Sequence, residues 1–406
     1  MSSAKLVALR SREANLKRRL RRHLKQLGFH KAPDGTLLPP NLDKETYRSI
    51  HSHQRTGKLA DHKKWIAAKS ESLMRHFASG VDIVARNIVP RLELVSKSTW
   101  QSDLFRFAGL YWRIPISEGY GRRLRFLVWD DNNGKLIGLL ALGDAVFNLR
   151  ARDKLIGWDH VRRADALVNL MDAYVLGAVP PYNKLLGGKL IASLVRTTNV
   201  VQAFDEKYRD SVGVISKRQK HARLVAITTT SALGRSSIYN RLKIGGRFIF
   251  EPIGYTSGWG HFHISDPLFD DLREYLKDVG DSYANAHKFG EGPNWRLRVI
   301  RRTLGLLGMD PDLIRHGFSR EIFFCPVATN ALDYLRGDHV RVRYGILPDV
   351  ESAGKLALDR WVIPRAERVP EYKAWCSEQF LEEITGRVIK PAPPTEGAVW
   401  IGRKTS

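Results

Sequence analysis

The stretch PPYNKLLGGKLI, residues 180–191, decides how this chain folds. Two prolines close the apolar run LMDAYVLGAV at 170–179, which has the length and β-branched content of a buried strand. Helical spacing begins in KLIASLVRT at 189–197, so a strand passes into a helix through a glycine pair flanked by lysines. Such a turn leaves the first backbone N–H groups of the helix unpaired and pointing outward, a natural place for an anion. Gly187 and Gly188 allow close approach, and Lys184 and Lys189 add charge, which makes these four residues the candidate phosphate ligands. A glycine pair at a strand-to-helix turn also serves packing alone.

Outward from this turn, further strands are announced on both sides. Upstream, RLRFLVWDD (123–131) and KLIGLLAL (135–142) are joined by Asn132, Asn133 and Gly134, which tolerate positive φ and predict a hairpin. Asp130 and Asp131 at its tip read as turn residues, with a paired-carboxylate metal site as the alternative. PRLELV at 90–95 is a further strand. Downstream come a strand within ARLVAITTTSAL (222–233), a helix over GRSSIYNRL (234–242) begun by Ser236 or Ser237, and a strand in RFIFEPIGYT (247–256). The order predicts an α+β fold built on a mixed sheet with flanking helices.

The 406 residues exceed the usual size of one core, so two domains, or one with sizeable extensions, are expected. Lys and Arg number 66 against 42 acids, a formal charge of +24. A surplus that large sits on the surface and calls for a polyanion, DNA or RNA first. A membrane is not expected as partner, because no apolar run reaches spanning length; LIGLLALGDAVF at 136–147 is short and carries Asp144. The first residues lack the apolar core of a secretion signal, so a cytoplasmic protein is expected. Cys325 and Cys376 are far apart and read as reduced thiols, not a zinc ribbon or disulfide framework.

Residues 1–85 read as a basic helical nucleic-acid-binding module, 86–265 as the α+β core, and 266–406 as a mainly helical region with a basic surface. In the first, Leu16, Leu20, Leu24 and Leu27 fall on one helical face, while Arg18, Arg19, Arg22 and Lys25 fill the positions between. In the last, Arg296, Arg298, Arg301 and Arg302 alternate with Leu297, Val299 and Ile300. Trp259, with Tyr255 and Trp295, could supply stacking surfaces for unpaired bases.

Two resemblances follow from longer phrases. The glycine-bearing turn and SSIYNRL resemble the core of the GNAT acetyltransferases. That resemblance implies a GNAT-like sheet, with Gly187 on the first cofactor-loop glycine and Tyr239 on the tyrosine that can protonate a leaving thiolate. Lys184 stands where that family has Arg or Gln, and Lys189 where it has a small residue. Acetyl-CoA is therefore not the expected cofactor, and N-acetyl transfer ranks last among the functions. YNKLLGGKLIASL, TTTSALGRSSIYNRLK and IGYTSGWGHFHIS, within roughly residues 90–345, resemble the family of the A protein of Druantia anti-phage systems. It implies a role in phage defence or mobile-DNA biology, with other defence-system proteins as partners, but no catalytic residues.

A third pattern lies in GWGHFHIS at 258–265. On a strand, His261 and His263 would share one face, as a divalent ion such as Mg or Mn requires. His-hydrophobe-His before a tyrosine-bearing helix resembles the HUH endonucleases, which implies Tyr275 or Tyr283 as a DNA-attacking nucleophile and Asp266 or His287 as a third ligand. The plainer reading makes both histidines hydrogen-bonding residues at the rim of the sheet. The function expected is nucleic-acid binding, DNA first, within defence or a mobile element; metal-dependent nicking is the alternative.

Overall fold

Seven segments with strand character join one sheet: β1 (Pro90–Leu94), β2 (Arg123–Asp130), β3 (Lys135–Asp144), β4 (Leu170–Ala178), β5 (Ala226–Thr230), β6 (Glu251–Tyr255) and β7 (Glu321–Pro326). The computed structural model describes residues 3–386 except 32, 34–36, 39, 41–42, 117–120, 213–218, 220, 245, 262, 286–292, 315–317 and 340. The strands lie in the order β6-β7-β5-β4-β3-β2-β1. Every neighbouring pair is antiparallel except β4 with β5. The fold is thus α+β with a mixed sheet that is mostly antiparallel.

The single parallel pair explains why the glycine turn is decisive. Parallel neighbours need a long crossover. Here it is made by the helices Gly187–Leu194 and Thr198–Tyr208, entered through residues 180–188. The parallel ladder is short, joining Leu170–Asp172 to Ala226–Thr228. Just beyond it, Tyr174 is an extra residue in β4, since Leu142 pairs with Ala173 and Ala141 with Val175. Such a bulge bends its strand and re-aims the side chains beside it.

The central strands lack polar alternation because both faces are covered. Leu124, Phe126 and Val128 of β2 join a core with Leu190, Ile191 and Trp361. Leu127 and Trp129 face the opposite core, with Phe77, Phe107 and Phe380. The C-terminal segments close both layers, Trp361 and Tyr372 on one side and Phe380 and Ile384 on the other.

A separate apolar cluster joins the first helix to segments far later in the sequence. Helix Ser3–Gln26 buries Leu16, Leu20 and Leu24 against Leu268, Leu272 and Leu276 of helix Asp266–Asp278. Val299, Ile300 and Leu304 of helix Pro293–Leu306 complete the cluster. The helices Lys44–Asp61 and Lys63–Met74 pack elsewhere, Tyr47 and Ile50 on Phe318 and Ile66 and Leu73 on the second sheet core.

Around the sheet, GRSSIYNRL and β7 differ from the sequence reading. GRSSIYNRL does not form a helix; only a single 3-10 turn, Tyr239–Arg241, is made. The cause is local side-chain capture: Ser236 Oγ accepts from the amides of Ile238 and Tyr239, and Glu321 Oε2 accepts from the Ser236 amide and the Asn240 side chain. The second is β7, a strand inside the stretch read as mainly helical, which enters the sheet between β5 and β6.

Candidate nucleic-acid interface

Helix Ser3–Gln26 sorts its cations by their angle from the leucine face. On one flank, Arg12 bonds Glu274 at 3.0 Å and also Asp278, and Arg19 pairs with Asp271. These arginines fasten the helix to Asp266–Asp278. On the outer side Arg18, Arg21, Arg22 and Lys25 follow i, i+3, i+4, i+7 spacing and are exposed. None of these four has an ion pair among the described residues. Arg18, Arg22 and Lys25 were legible as candidates; Arg21 belongs to the same stripe and is found by completing the spacing.

The second basic stretch is divided differently. Arg296 is a structural residue: it donates to Asp266 Oδ1 at 2.5 Å and to the Ile264 carbonyl at 2.9 Å, with its guanidinium 4.3 Å from the Phe269 ring centre. Arg298 donates to the Tyr283 hydroxyl at 2.7 Å, and Arg302 bonds Asp281 at 2.9 Å while lying over the Tyr283 ring. Arg301 is exposed. Trp295 is buried, its Nε1 donating to the Tyr283 carbonyl, so it offers no face to a base. Tyr255 and Trp259 do, at 58% and 40% exposure.

At the glycine turn the two glycines face protein. A Cβ on Gly187 would lie 2.6 Å from the Tyr182 carbonyl oxygen and 2.9 Å from the Ala178 Cβ, and one on Gly188 would lie 3.3 Å from Ile238 Cδ1. Close packing of the turn on β4 is what Gly187 permits. Lys184 and Lys189 point away, each over an indole: Lys184 Nζ is 4.9 Å from the Trp375 centre, and Lys189 Nζ 5.2 Å from that of Trp361. Below, Tyr182 donates to Asp130 Oδ2 at 2.9 Å, while Asp130 Oδ1 accepts from the amides of Val89 and Asn132. Burial raises the Asp130 carboxyl. Asp131 bonds Arg91 at 2.8 Å. Both hairpin carboxylates are therefore committed to structure.

The three tyrosines stand apart in chemistry. Tyr239 packs on Phe250 and Phe323, and burial pushes its phenol up to about 12. Tyr275 donates to Glu13 Oε1 at 3.0 Å; burial and that carboxylate push it up to about 12. An activated nucleophile needs the opposite shift. Tyr283 accepts from Arg298.

The segment holding His261 and His263 is not a strand. The chain leaves the sheet at Tyr255 and turns, with the Ile264 amide donating to the His261 carbonyl at 3.0 Å. The period-two alignment of the imidazoles is lost with the strand. His263 is 1% exposed, its ring stacked on Phe29, with Nε2 donating to the Leu313 carbonyl at 2.8 Å. Asp266 is engaged by Arg296, and His287 lies outside the described residues. Among the described residues no three His, Cys, Asp or Glu side chains gather as a metal site.

The family model for Druantia protein DruA matches residues 41–337. Druantia protein DruA of Escherichia coli (strain UMEA 4076-1) is 48% identical over 391 residues, covering 96% of this chain and 97% of that protein. The chain belongs to the Druantia protein DruA family. It is thus a protein of an anti-phage defence system, as the phrases around the glycine turn imply. No solved structure matches it. Among the described residues of this family member, no helix is long and apolar enough to cross a membrane.

The buried histidines have a consequence for stability. Burial lowers His51, His261 and His263 from 6.5 to about 4. The unfolded chain therefore binds protons between those values that the folded chain refuses, and stability falls as pH drops through the window. Asp172 has the opposite sign: burial raises it from 3.8 to about 6, so the folded chain takes its proton first and offsets one of the three. Urea unfolding should show stability declining between pH 6.5 and 4 with a net uptake of up to about two protons. Equal stability at pH 7 and pH 5 would contradict neutral, buried histidines.

Proposed function

We propose that this chain is a nucleic-acid-binding component of its defence system, with DNA the first candidate, and that the outer stripe of helix Ser3–Gln26 contacts phosphates. The observation that carries the reading is the sorting of cations on that helix. Arg12 and Arg19 are consumed by acids, whereas Arg18, Arg21, Arg22 and Lys25 form an exposed row of one sign. A row of this kind on a rigid helix matches successive phosphates and carries no base-reading geometry. The contact is thus expected to be sequence-independent. Arg298 and Arg301 lie on a helix of the same cluster and extend the charge, whereas Arg302 is held by Asp281, and Trp259 adds an exposed ring.

We assign the sheet a GNAT-like architecture. The strand order, with its one parallel pair after the glycine turn and a bulge at Tyr174, supports this. The turn's close packing and its two lysines argue against coenzyme A, and phosphate contact there falls to side chains.

The test is fluorescence anisotropy of full-length protein with labelled single- and double-stranded DNA and RNA of unrelated sequences, from about 50 to 300 mM salt. Affinity should be similar for all sequences and fall steeply with salt. No binding to any of them at the lowest salt ends the reading. A denaturing gel of the same mixtures with Mg or Mn separates retention from cleavage.

A further inference from the structure

We propose that Lys189, Arg241 and Arg360 form a second backbone-binding patch, which holds the phosphodiesters of a nucleic-acid strand. It rests on the nucleic-acid reading above but uses a different part of the molecule.

The three side chains come from segments far apart in sequence: the crossover helix, the turn after β5, and one π-helical turn at Leu358–Val362. π-Turns of this kind recur at functional sites. Here the turn carries Arg360 and Trp361. The Trp361 ring is buried, with Lys189 Nζ 5.2 Å and the Arg360 guanidinium 5.6 Å from its centre. One indole therefore orders two cations and limits the entropy they lose on meeting a ligand.

Among the described residues none of the three has an ion-pair partner. Burial lowers Lys189, and Arg241 and Arg360 lower it further; no carboxylate acts on it. Several arginines elsewhere, among them Arg12, Arg19, Arg91 and Arg122, are paired with acids. A fold that tolerates mutual repulsion at one place gains most when an anion arrives there. The charge continues along the same wall, where Arg365 donates to the Lys184 carbonyl at 3.3 Å. Arg241 and Arg360 are exposed and Lys189 is half-buried, so the patch opens on the surface. Open surface fits an extended strand better than a nucleotide, which needs enclosure.

The test uses full-length Arg241→Gln/Arg360→Gln protein, with Arg365→Gln as a second variant, and labelled single-stranded DNA. Arg241 and Arg360 are exposed and Arg365 is half-buried, and an unchanged thermal midpoint verifies folding of each variant. Loss of two contacts should lower the slope of log affinity against log salt by about 1.4 in the double variant. Arg365→Gln should lower it by about 0.7. If slope and affinity stay at wild-type values while Arg18→Ala/Arg22→Ala/Lys25→Ala protein loses both, the patch is not a strand contact and the helix reading stands. If wild-type protein binds no nucleic acid, the underlying reading fails with it. If inorganic pyrophosphate raises the wild-type thermal midpoint but not that of the double variant, while DNA binding is unchanged, the patch is a small-anion site and the proposal is overturned.

Discussion

Replacing Arg18, Arg22 and Lys25 together by glutamate is expected to remove most nucleic-acid affinity at physiological salt, whatever the sequence of the strand. The three lie in one exposed row opposite the leucines, so the change leaves the packing of Leu16, Leu20 and Leu24 intact. Neutral substitution should lower the salt slope by about 2.7 on duplex DNA, since each phosphate contact contributes about 0.9. Reversal adds repulsion from the remaining phosphates and goes further. The control is Arg19→Glu, which opposes Asp271 and should loosen the helix rather than weaken phosphate contact selectively. Should the triple variant bind as tightly as wild type, the row is only a solvated face.

The largest loss of stability is expected from Asp130→Ala. One fully buried carboxylate accepts from Val89, Asn132 and the Tyr182 hydroxyl, and so ties the hairpin tip to the start of the glycine turn. Alanine would leave one buried hydroxyl and two partly buried backbone donors without their acceptor, at a cost of roughly 2–4 kcal/mol. Asp130→Asn keeps an amide oxygen for the two backbone donors and should cost about 1–2 kcal/mol. Chemical denaturation of both variants decides it: equal, small losses would mean that water replaces the carboxylate.

How far the sequence speaks for itself differs by element. RLRFLVWDD-NNG-KLIGLLAL and the glycine turn are local patterns, and β2, β3, β4 and the crossover follow them. EIFFCP is too short to announce itself, and its partners β5 and β6 lie far away in the chain. GRSSIYNRL has helical spacing, but Ser236 Oγ and Glu321, 85 residues from Ser236, hold its amides in another conformation. The HFH phrase suggested a strand because its alternation is correct; Gly258, at φ 72°, lets the chain turn instead. Among functional candidates, the cations of the first helix were visible from periodicity. Their division into paired and exposed sets was not, because the acids that decide it sit on Asp266–Asp278. Arg241 and Arg360 carry no local signal at all, being united only by Lys189 and Trp361.

The docking of helix Ser3–Gln26 onto Asp266–Asp278 also governs the order in which the molecule can be completed. During synthesis the first helix leaves the ribosome long before Leu268, Leu272 and Leu276 exist, and its leucines must wait with strongly cationic neighbours for a partner some 240 residues away. Repulsion among those cations keeps nascent chains apart while the apolar face is uncovered. The charge that suits the finished protein to a polyanion thereby also guards its unfinished form against self-association, and shortening the chain to the family-matched 41–337 would uncover the waiting partner instead.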